Sequence, residues 1–289
     1  MSNVTSDRIR MESLEQLKML RPIDDIFMRE IFRNNKELTE FVLRTITGIS
    51  DLEVTEEHSQ YDLQRLLGAR SVCLDVFAKD SKGRRYNLEV QRSVNGAEPK
   101  RARYHSSSID VELLDTGAKF TDLPITYVIF VTETDVFGEG KLIYPIDRIN
   151  TATGKPFDDD EHIIYVNGEY TDKGDDSDLA KLMHDFLCSN ADDMLLPLIA
   201  ESTRYYKTNP KGVEYMAKNM TDWGNELKQE GRQEGRQEGR QEGKQEALIE
   251  TALKMLKKGV MSFEDISEYS SLPLDEVKAL AEKCKPAAT

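Results

Sequence analysis

The stretch that decides the fold is Ser71 to Arg92, SVCLDVFAKDSKGRRYNLEVQR, which is typical of two β-strands joined by a tight turn. Ser71–Lys79 and Tyr86–Gln91 are both rich in the apolar and β-branched residues that favour strands. Between them, Ser81-Lys82-Gly83 suits a three-residue hairpin loop, because glycine adopts a positive φ without steric cost. With such a loop, the numbers of paired residues sum to about 164.

This register places two acidic residues opposite each other. Side chains alternate between the two faces of a strand, so Asp75, Glu89 and Gln91 lie on the side opposite the apolar positions. Those apolar positions are Val72, Leu74, Val76 and Ala78 on the first strand and Tyr86, Leu88 and Val90 on the second. Opposed Cβ atoms lie only about 5 Å apart, and like charges there are destabilising. The pattern fits either a solvated face that carries two acids or a pair of carboxylates that binds a divalent cation such as Mg²⁺.

The spacing of the acids matches a nuclease motif. Asp75, followed after thirteen residues by Glu89-Val90-Gln91, resembles the PD-(D/E)xK nuclease superfamily. The likeness is greatest to the branch of recombination-promoting nucleases and transposases, in which the last motif residue is often Gln instead of Lys.

Two further segments agree with that branch. Asp25–Phe32 (DIFMREIF) is similar to its opening Asp-x-x-Phe-Lys-x-x-Phe helix, with Met28 for Phe and Arg29 for Lys. Arg103-Tyr104, followed by a helical segment and an apolar strand, matches its Arg-x-x-Tyr-like helix. The likeness covers residues 21–170 and the C-terminal tail.

The resemblance implies a fold, an activity and a set of site residues. The fold is α/β, a restriction-endonuclease-like central mixed β-sheet flanked by helices, with an α-helical C-terminal extension. The activity is metal-dependent DNA endonuclease activity, in which one or two Mg²⁺ ions, or Mn²⁺ as a substitute, are held by Asp75, Glu89 and the backbone carbonyl of Val90. Asp25 is a further candidate ligand, and a plain charge at a helix start is the alternative for it. Gln91 would orient the attacking water, and the residues assigned to DNA contact are Arg29, Arg92, Arg101, Arg103 and Tyr104.

Two other functions stay open. The chain is also consistent with a DNA-binding or assembly protein that keeps the nuclease scaffold with weak or no catalysis. In a third interpretation it is a regulatory protein whose C-terminal helices make the functional contacts.

Composition and charge limit the remaining classes. No run approaches the roughly 18 apolar residues of a membrane-spanning helix, the N-terminus lacks a signal-peptide pattern, and Cys73, Cys188 and Cys284 show no CxxC spacing. We therefore expect a cytoplasmic protein without a membrane segment, disulfide framework or zinc site. The four histidines show no ligand spacing and are interpreted as ordinary surface or core residues.

The net charge of −14 is unfavourable for binding DNA, but the charge is unevenly distributed. Residues 79–103 carry eight basic and three acidic side chains, a balance of +5, whereas residues 156–178 carry nine acids and one lysine. The sequence therefore predicts a positive patch beside the proposed metal site, with a mixed charged surface as the alternative.

The composition predicts four segments. Residues 1–20 form a polar lead, 21–208 a nuclease-like domain, 209–258 a long helix with QEGR repeats, and 259–289 a small tail that resembles a helix-turn-helix. The repeats, at Gln229–Lys244, place like charges at i, i+4 and add four glycines, so the segment alone is a poor helix. Pairing with a second copy would match acidic to basic stripes. A homodimer or higher oligomer stem is therefore favoured over a flexible linker.

The other elements are predicted from periodicity, caps and breakers. They are a helix that Pro22 opens, a second helix that Gly48 ends, a strand at 52–56, a helix at 97–118, strands at 125–131, 141–146 and 163–170, and helices at 178–187 and 194–206. In the C-terminal part, an amphipathic helix at 247–258 stops at Gly259 and is followed by a short helix capped by Ser262 and a helix at 275–283.

Overall fold

A mixed β-sheet forms the centre of the first of two compact units, Met1–Thr221 and Asp222–Thr289. The structure is a computed structural model that describes residues 14–63, 72–93, 96–172, 174–258 and 261–283, without the side chains of 72, 221, 223–242, 244–246, 282 and 283. The predicted lead at residues 1–13, Ser71, the Val72 side chain and Cys284 lie outside these residues.

The sheet has six strands in the order β1-β2-β3-β4-β8-β5. Its strands are β1 (Val54–Leu63), β2 (Val72–Asp80), β3 (Arg85–Gln91), β4 (Thr126–Thr132), β8 (Glu161–Asn167) and β5 (Ile143–Ile146). The central strands β3, β4 and β8 are parallel, and the outer strands pair antiparallel to their neighbours. A separate two-stranded ribbon, which the sequence did not predict, pairs β6 (Ile149–Asn150) with β7 (Lys155–Pro156).

The β2–β3 hairpin has the predicted register and loop. Val76 pairs with Leu88 and Lys79 with Arg85, so the paired numbers sum to 164. Gly83 has a φ of 83° in the connecting loop, which glycine adopts without strain. The hairpin prediction is therefore confirmed, and it orients every side chain that follows along β3.

Helices cover both faces of the sheet. They are α1 (residues 14–19), α2 (Asp25–Phe32), α3 (Lys36–Thr47), α4 (Pro99–Leu113), α5 (Asp178–Leu187), α6 (Pro197–Thr208) and, up to Thr221, the first part of α7 (Pro210–Lys258). One apolar cluster joins α2, α3, α5 and α6 to the face that carries Val76, Leu88 and Val131. A second cluster joins α4 to the opposite face. This confirms the predicted sheet flanked by helices, because each face of the sheet needs a cover for its apolar side chains.

The predicted side-chain face of Leu74 on β2 is wrong. Leu74 packs in the second cluster with Phe77, not with Val76 and Ala78. The regular pairing of β2 with β3 ends at Val76, and Gln60, on the neighbouring strand across from Asp75, has a φ of 59°. The side-chain alternation therefore shifts at Asp75, and a strict two-residue period does not predict such a shift.

The largest boundary error concerns β1, which the sequence predicts at 52–56 and which runs to Leu63. β1 is an edge strand whose side chains are mostly exposed or half-buried. Its backbone hydrogen bonds to β2 hold it in the sheet, so it needs no apolar pattern.

The second unit contains a small helical core. Helices α8 (Phe263–Ser270) and α9 (Leu274–Lys283) pack with the end of α7 around Ala252, Ile266, Leu272 and Val277. Ser262 caps α8 as predicted, because its hydroxyl accepts a hydrogen bond from the Asp265 N–H. The backbone of the QEGR repeats is helical within α7, while the predicted stop at Gly259 lies outside the described residues. No helix in the described part of the chain is long and apolar enough to cross a membrane.

Candidate functional site

The carboxyl end of the parallel strands gathers the predicted site residues. Glu89 and Gln91 lie at the end of β3, next to the end of β4. The first turns of α2 and α4 contribute Asp25 and Arg101. Strand ends of this kind are the usual position of ligand sites in α/β folds, because side chains from several loops and helix starts converge there.

Asp75 and Glu89 lie side by side in the interior. The Asp75 backbone N–H donates to Glu89 Oε1 at 3.3 Å, and the Val90 N–H donates to Asp75 Oδ2 at 3.1 Å. Asp75 is 9% exposed and Glu89 is fully buried. The solvated face that the sequence left open as an alternative is therefore wrong, since water does not surround these carboxylates.

The two oxygens of Glu89 have different surroundings. Oε1 accepts from the Asp75 N–H and lies 3.3 Å from His105 Nδ1. Oε2 is buried without a hydrogen-bond partner among the described residues. Its nearest cation is Arg101 Nη2, at 3.7 Å, which is beyond hydrogen-bond distance. A buried carboxylate oxygen without a partner is costly, and a bound cation would satisfy it.

The electrostatics of Asp75 point the same way. Burial raises the pKa of Asp75 well above its usual range, and the negative charges of Glu89 and Asp25 raise it further. The hydrogen bond from the Val90 N–H and the charge of Arg29 oppose this rise without cancelling it. A divalent cation between the carboxylates would reverse the effect, because it favours the ionised form of each.

Asp25 lies near this pair and forms an ion pair with an arginine. Its Oδ2 is 3.0 Å from Arg29 Nη2 on the same helix. Burial raises the pKa of Asp25, the charge of Arg29 lowers it, and Glu89 raises it again. Asp25 is therefore close enough to Glu89 for the two charges to interact. Arg29, a predicted DNA contact, is held on the surface of its own helix by the ion pair with Asp25.

The Gln91 amide lies against the start of the next loop. A Cβ added to Gly96 would lie 2.6 Å from Gln91 Oε1 and 3.2 Å from Arg101 Nη1. Gly96 also has a φ of 110°, a conformation that L side chains rarely adopt. The absence of a side chain at Gly96 therefore leaves the space in which the Gln91 amide sits.

His105 is a residue that the sequence interpretation missed. It is 3% exposed, lies against the Phe130 ring and contacts Glu89 through Nδ1. Arg101 Nε donates to its other nitrogen, Nε2, at 3.2 Å. The i, i+4 spacing of Arg101 and His105 on a predicted helix was the available signal, but it does not show which face of the helix meets Glu89.

The basic residues of the predicted positive patch do not lie together beside the acids. Lys82, Arg84 and Arg85 sit at the hairpin turn. A strand rises about 3.3 Å per residue, so they lie roughly 15–20 Å along the hairpin from Asp75. Lys82 and Arg84 also pair with Asp51. The prediction treated nearby residue numbers as nearby positions, and an extended hairpin separates them.

The predicted DNA contacts near the site differ in their surroundings. Arg92 is 3.1 Å from a carboxylate oxygen of Glu133 and 3.3 Å from Asp24. Tyr104 is 37% exposed on α4. Arg103 is exposed, and no carboxylate of the described residues lies within ion-pair distance of it. Arg103 is therefore the most available of the predicted cations.

The donor set fits a divalent cation held by few protein ligands. Among the described residues, no group of three or more His, Cys, Asp or Glu side chains is arranged to hold a metal. Two carboxylates remain, Asp75 and Glu89, and the Glu89 Oε2 has no hydrogen-bond partner in the described part of the chain. Mg²⁺ uses such a small set of ligands when waters and substrate phosphates complete its shell.

The structure is an α/β fold with a mixed sheet, flanking helices and a buried acidic pair at the strand ends. Residues 25–186, more than half of the chain, match the sequence model of the PD-(D/E)XK nuclease family transposase, and the chain belongs to that family. No curated protein and no solved structure matches the chain. Family membership supports a nuclease or transposase-like function that acts on DNA.

Proposed function

We propose that this protein is a divalent-metal-dependent DNA endonuclease that hydrolyses phosphodiester bonds in recombination or transposition. The observation that carries the proposal is the buried Glu89 Oε2, which lacks a hydrogen-bond partner among the described residues and lies beside the buried Asp75 carboxylate. Two neighbouring buried acids without a cation are unfavourable, so the arrangement is best explained by a metal site.

Asp75 and Glu89 would hold the ion, with the Val90 carbonyl as an additional oxygen ligand. Asp25, from α2, would join them only by leaving its ion pair with Arg29. A bound Mg²⁺ or Mn²⁺ supplies a water of lowered pKa and neutralises charge at the scissile phosphate. The Asp75 N–H orients Glu89 Oε1, and the Val90 N–H orients Asp75.

The remaining roles belong to groups around the acids. Gln91 would orient the attacking water by hydrogen bonds, but its amide carries no charge to stabilise the transition state. Arg103 and Tyr104 would position the DNA backbone from α4, with Arg101, Arg92 and Arg29 nearer the acids. The use of Gln instead of Lys predicts a slow enzyme with the architecture of its family.

A plasmid-cleavage assay tests the proposal. We expect the purified protein to convert supercoiled plasmid to nicked circles in Mg²⁺ or Mn²⁺ but not in EDTA, and only weakly in Ca²⁺, which has a more flexible coordination shell. Equal conversion in EDTA would show that the cleavage is not metal-dependent.

A second function is favoured by the small donor set and by Gln91. Only two acids meet at the site among the residues that the structure describes, and Gln91, not a lysine, stands at the last motif position. A catalytically weak or inactive protein that binds DNA or assembles on a nuclease scaffold would have these features. Such a protein would shift labelled DNA in an electrophoretic assay and leave plasmid intact in every metal.

Gly96→Ala is expected to reduce nicking about ten- to hundredfold while Mn²⁺ affinity changes little. The added Cβ would meet Gln91 Oε1 at 2.6 Å, so the amide must move away from the attacking water. Gly83→Ala is the matched control, because Gly83 also has a positive φ and has nothing within 4 Å of the added Cβ. Equal nicking rates in the two variants would remove Gln91 from the proposed site.

We also propose that the QEGR repeats join copies of the chain. The full-length protein is expected to sediment as a dimer or higher oligomer. Replacement of Glu230, Glu234, Glu238 and Glu242 by lysine should shift it toward the monomer, since the paired stripes would then carry the same charge. Sedimentation velocity over a range of concentrations measures both. A wild-type protein that is monomeric throughout would contradict the stem.

A further inference from the structure

The buried imidazole of His105 lies between the acidic pair and the first turn of α4. Its Nδ1 is 3.3 Å from Glu89 Oε1, and its Nε2 accepts from Arg101 Nε at 3.2 Å. The ring packs at 5.9 Å from the Phe130 ring, and the residue is 3% exposed. No role for His105 follows from the Asp-and-Glu-x-Gln motif itself.

The contact with Arg101 decides which nitrogen of His105 carries the proton. A guanidinium N–H only donates, so His105 Nε2 must be an unprotonated acceptor. The ring proton therefore sits on Nδ1, which lies 3.3 Å from Glu89 Oε1 and 3.2 Å from the Asn87 amide. The hydrogen bond made by one ring nitrogen commonly fixes the tautomer of the other in this way.

Asn87 is compatible with this tautomer only if its side-chain amide is turned end for end. Its amide lies 3.2 Å from His105 Nδ1, and its Oδ1 is buried without a partner among the described residues. An Nδ1–H cannot accept from the Asn87 amide nitrogen, so the amide oxygen must face the ring. Turning the amide end for end gives the ring proton a second acceptor and satisfies the Asn87 oxygen, and it moves the amide nitrogen to the position that has no partner among the described residues.

We propose that His105 is a positioning residue that holds Glu89 Oε1 through Nδ1–H, so that Glu89 Oε2 is left to bind the divalent cation. Arg101 sets the tautomer from the other side of the ring. This inference rests on the proposed function, because it assumes that Glu89 is a metal ligand. The position resembles the supports of metal-binding carboxylates in general, since ligating carboxylates are themselves held by hydrogen bonds from a second layer of residues.

The geometry distinguishes two amide replacements of His105. The Asn side-chain amide nitrogen occupies nearly the place of imidazole Nδ1, whereas the Gln nitrogen falls near Nε2. His105→Asn therefore keeps a donor toward Glu89, and His105→Gln does not. His105→Phe keeps the aromatic packing on Phe130 and removes both nitrogens. The three variants separate the hydrogen bond from the volume of the ring.

Calorimetric titration of the full-length protein with Mn²⁺, without DNA, tests the inference. We expect His105→Phe and His105→Gln to weaken Mn²⁺ binding about ten- to hundredfold, and His105→Asn to stay within about threefold of wild type. His162→Phe is the matched control, since His162 contacts Asp147 and stacks on Tyr127 away from the acids. Melting temperatures show which variants are folded.

The outcomes separate this inference from the proposed function. If wild type and Glu89→Gln bind Mn²⁺ equally or not at all, Glu89 is no metal ligand and both ideas fail together. If Glu89→Gln loses binding while His105→Phe or His105→Gln binds like wild type, the metal site stands and the role of His105 is wrong. Equal losses in the Asn and Gln variants would also overturn it, because donor position would then have no effect.

Discussion

Glu89→Gln is expected to lower Mg²⁺-dependent plasmid nicking by about a thousandfold or more. The variant keeps the size of the side chain and an oxygen for the Asp75 N–H, but it removes the charge that the unpartnered Oε2 offers to a cation. Loss of a metal ligand removes several kcal/mol of transition-state stabilisation, and about 1.4 kcal/mol corresponds to a factor of ten in rate. Initial rates of nicking measure the effect.

Glu56→Ala is the control for this experiment. Glu56 is an exposed carboxylate on β1 that pairs with Lys79 at 2.9 Å, so its loss changes net charge by the same amount away from the site. Its nicking rate should match wild type. Near-normal cleavage by Glu89→Gln, with a normal melting temperature, would show that Glu89 is not part of the catalytic site.

Asp75→Asn is expected to stabilise the metal-free protein while it abolishes nicking. Asp75 is buried beside Glu89, and burial and that neighbour raise its pKa well above the usual range. The folded state therefore favours the neutral form, so stability falls as the pH rises from the unfolded pKa of about 3.9 through the folded pKa. Asparagine is neutral at every pH. We therefore expect the free energy of unfolding at pH 7.5 to rise by about 1–2 kcal/mol, which is the usual size of a single stabilising substitution.

Differential scanning calorimetry in EDTA measures this gain as a rise in Tm of roughly 3–6 °C. The difference from wild type should shrink as the pH falls through about 4 and should vanish below the unfolded pKa of about 3.9, where Asp75 is neutral in both states. Mg²⁺ should raise the Tm of wild type and leave the variant unchanged, because a ligand stabilises only the form that binds it.

Asp51→Asn is a control in which the pKa of the carboxyl group is shifted in the opposite direction. Asp51 is exposed, and a hydrogen bond from Lys82 lowers its pKa. Its replacement should leave the Tm unchanged or slightly lower. A fall in Tm for Asp75→Asn would mean that the Asp75 charge is already compensated within the protein, which contradicts a site that needs a cation.

The sequence predicted some features of this fold and not others. The hairpin register was predictable because the Gly83 loop and the strand pattern are set within a few residues. The family was predictable because the acids, their spacing and the opening helix occur in a fixed order. The β1 end and the Leu74 face were not, since an edge strand needs no apolar pattern and the alternation shifts beside Asp75.

By itself, the sequence determined the sheet-and-helix class, the hairpin that brings Asp75 beside Glu89, and the family to which the chain belongs. These properties follow from short-range chemistry, namely turn residues, side-chain periodicity and motif spacing. Only the tertiary structure decided that Glu89 is fully buried, that His105 and Arg101 contact it from α4, and that the cations of the hairpin turn lie far from it. Those facts depend on which helix face packs on the sheet and on distances between segments far apart in the chain, and no local pattern encodes them.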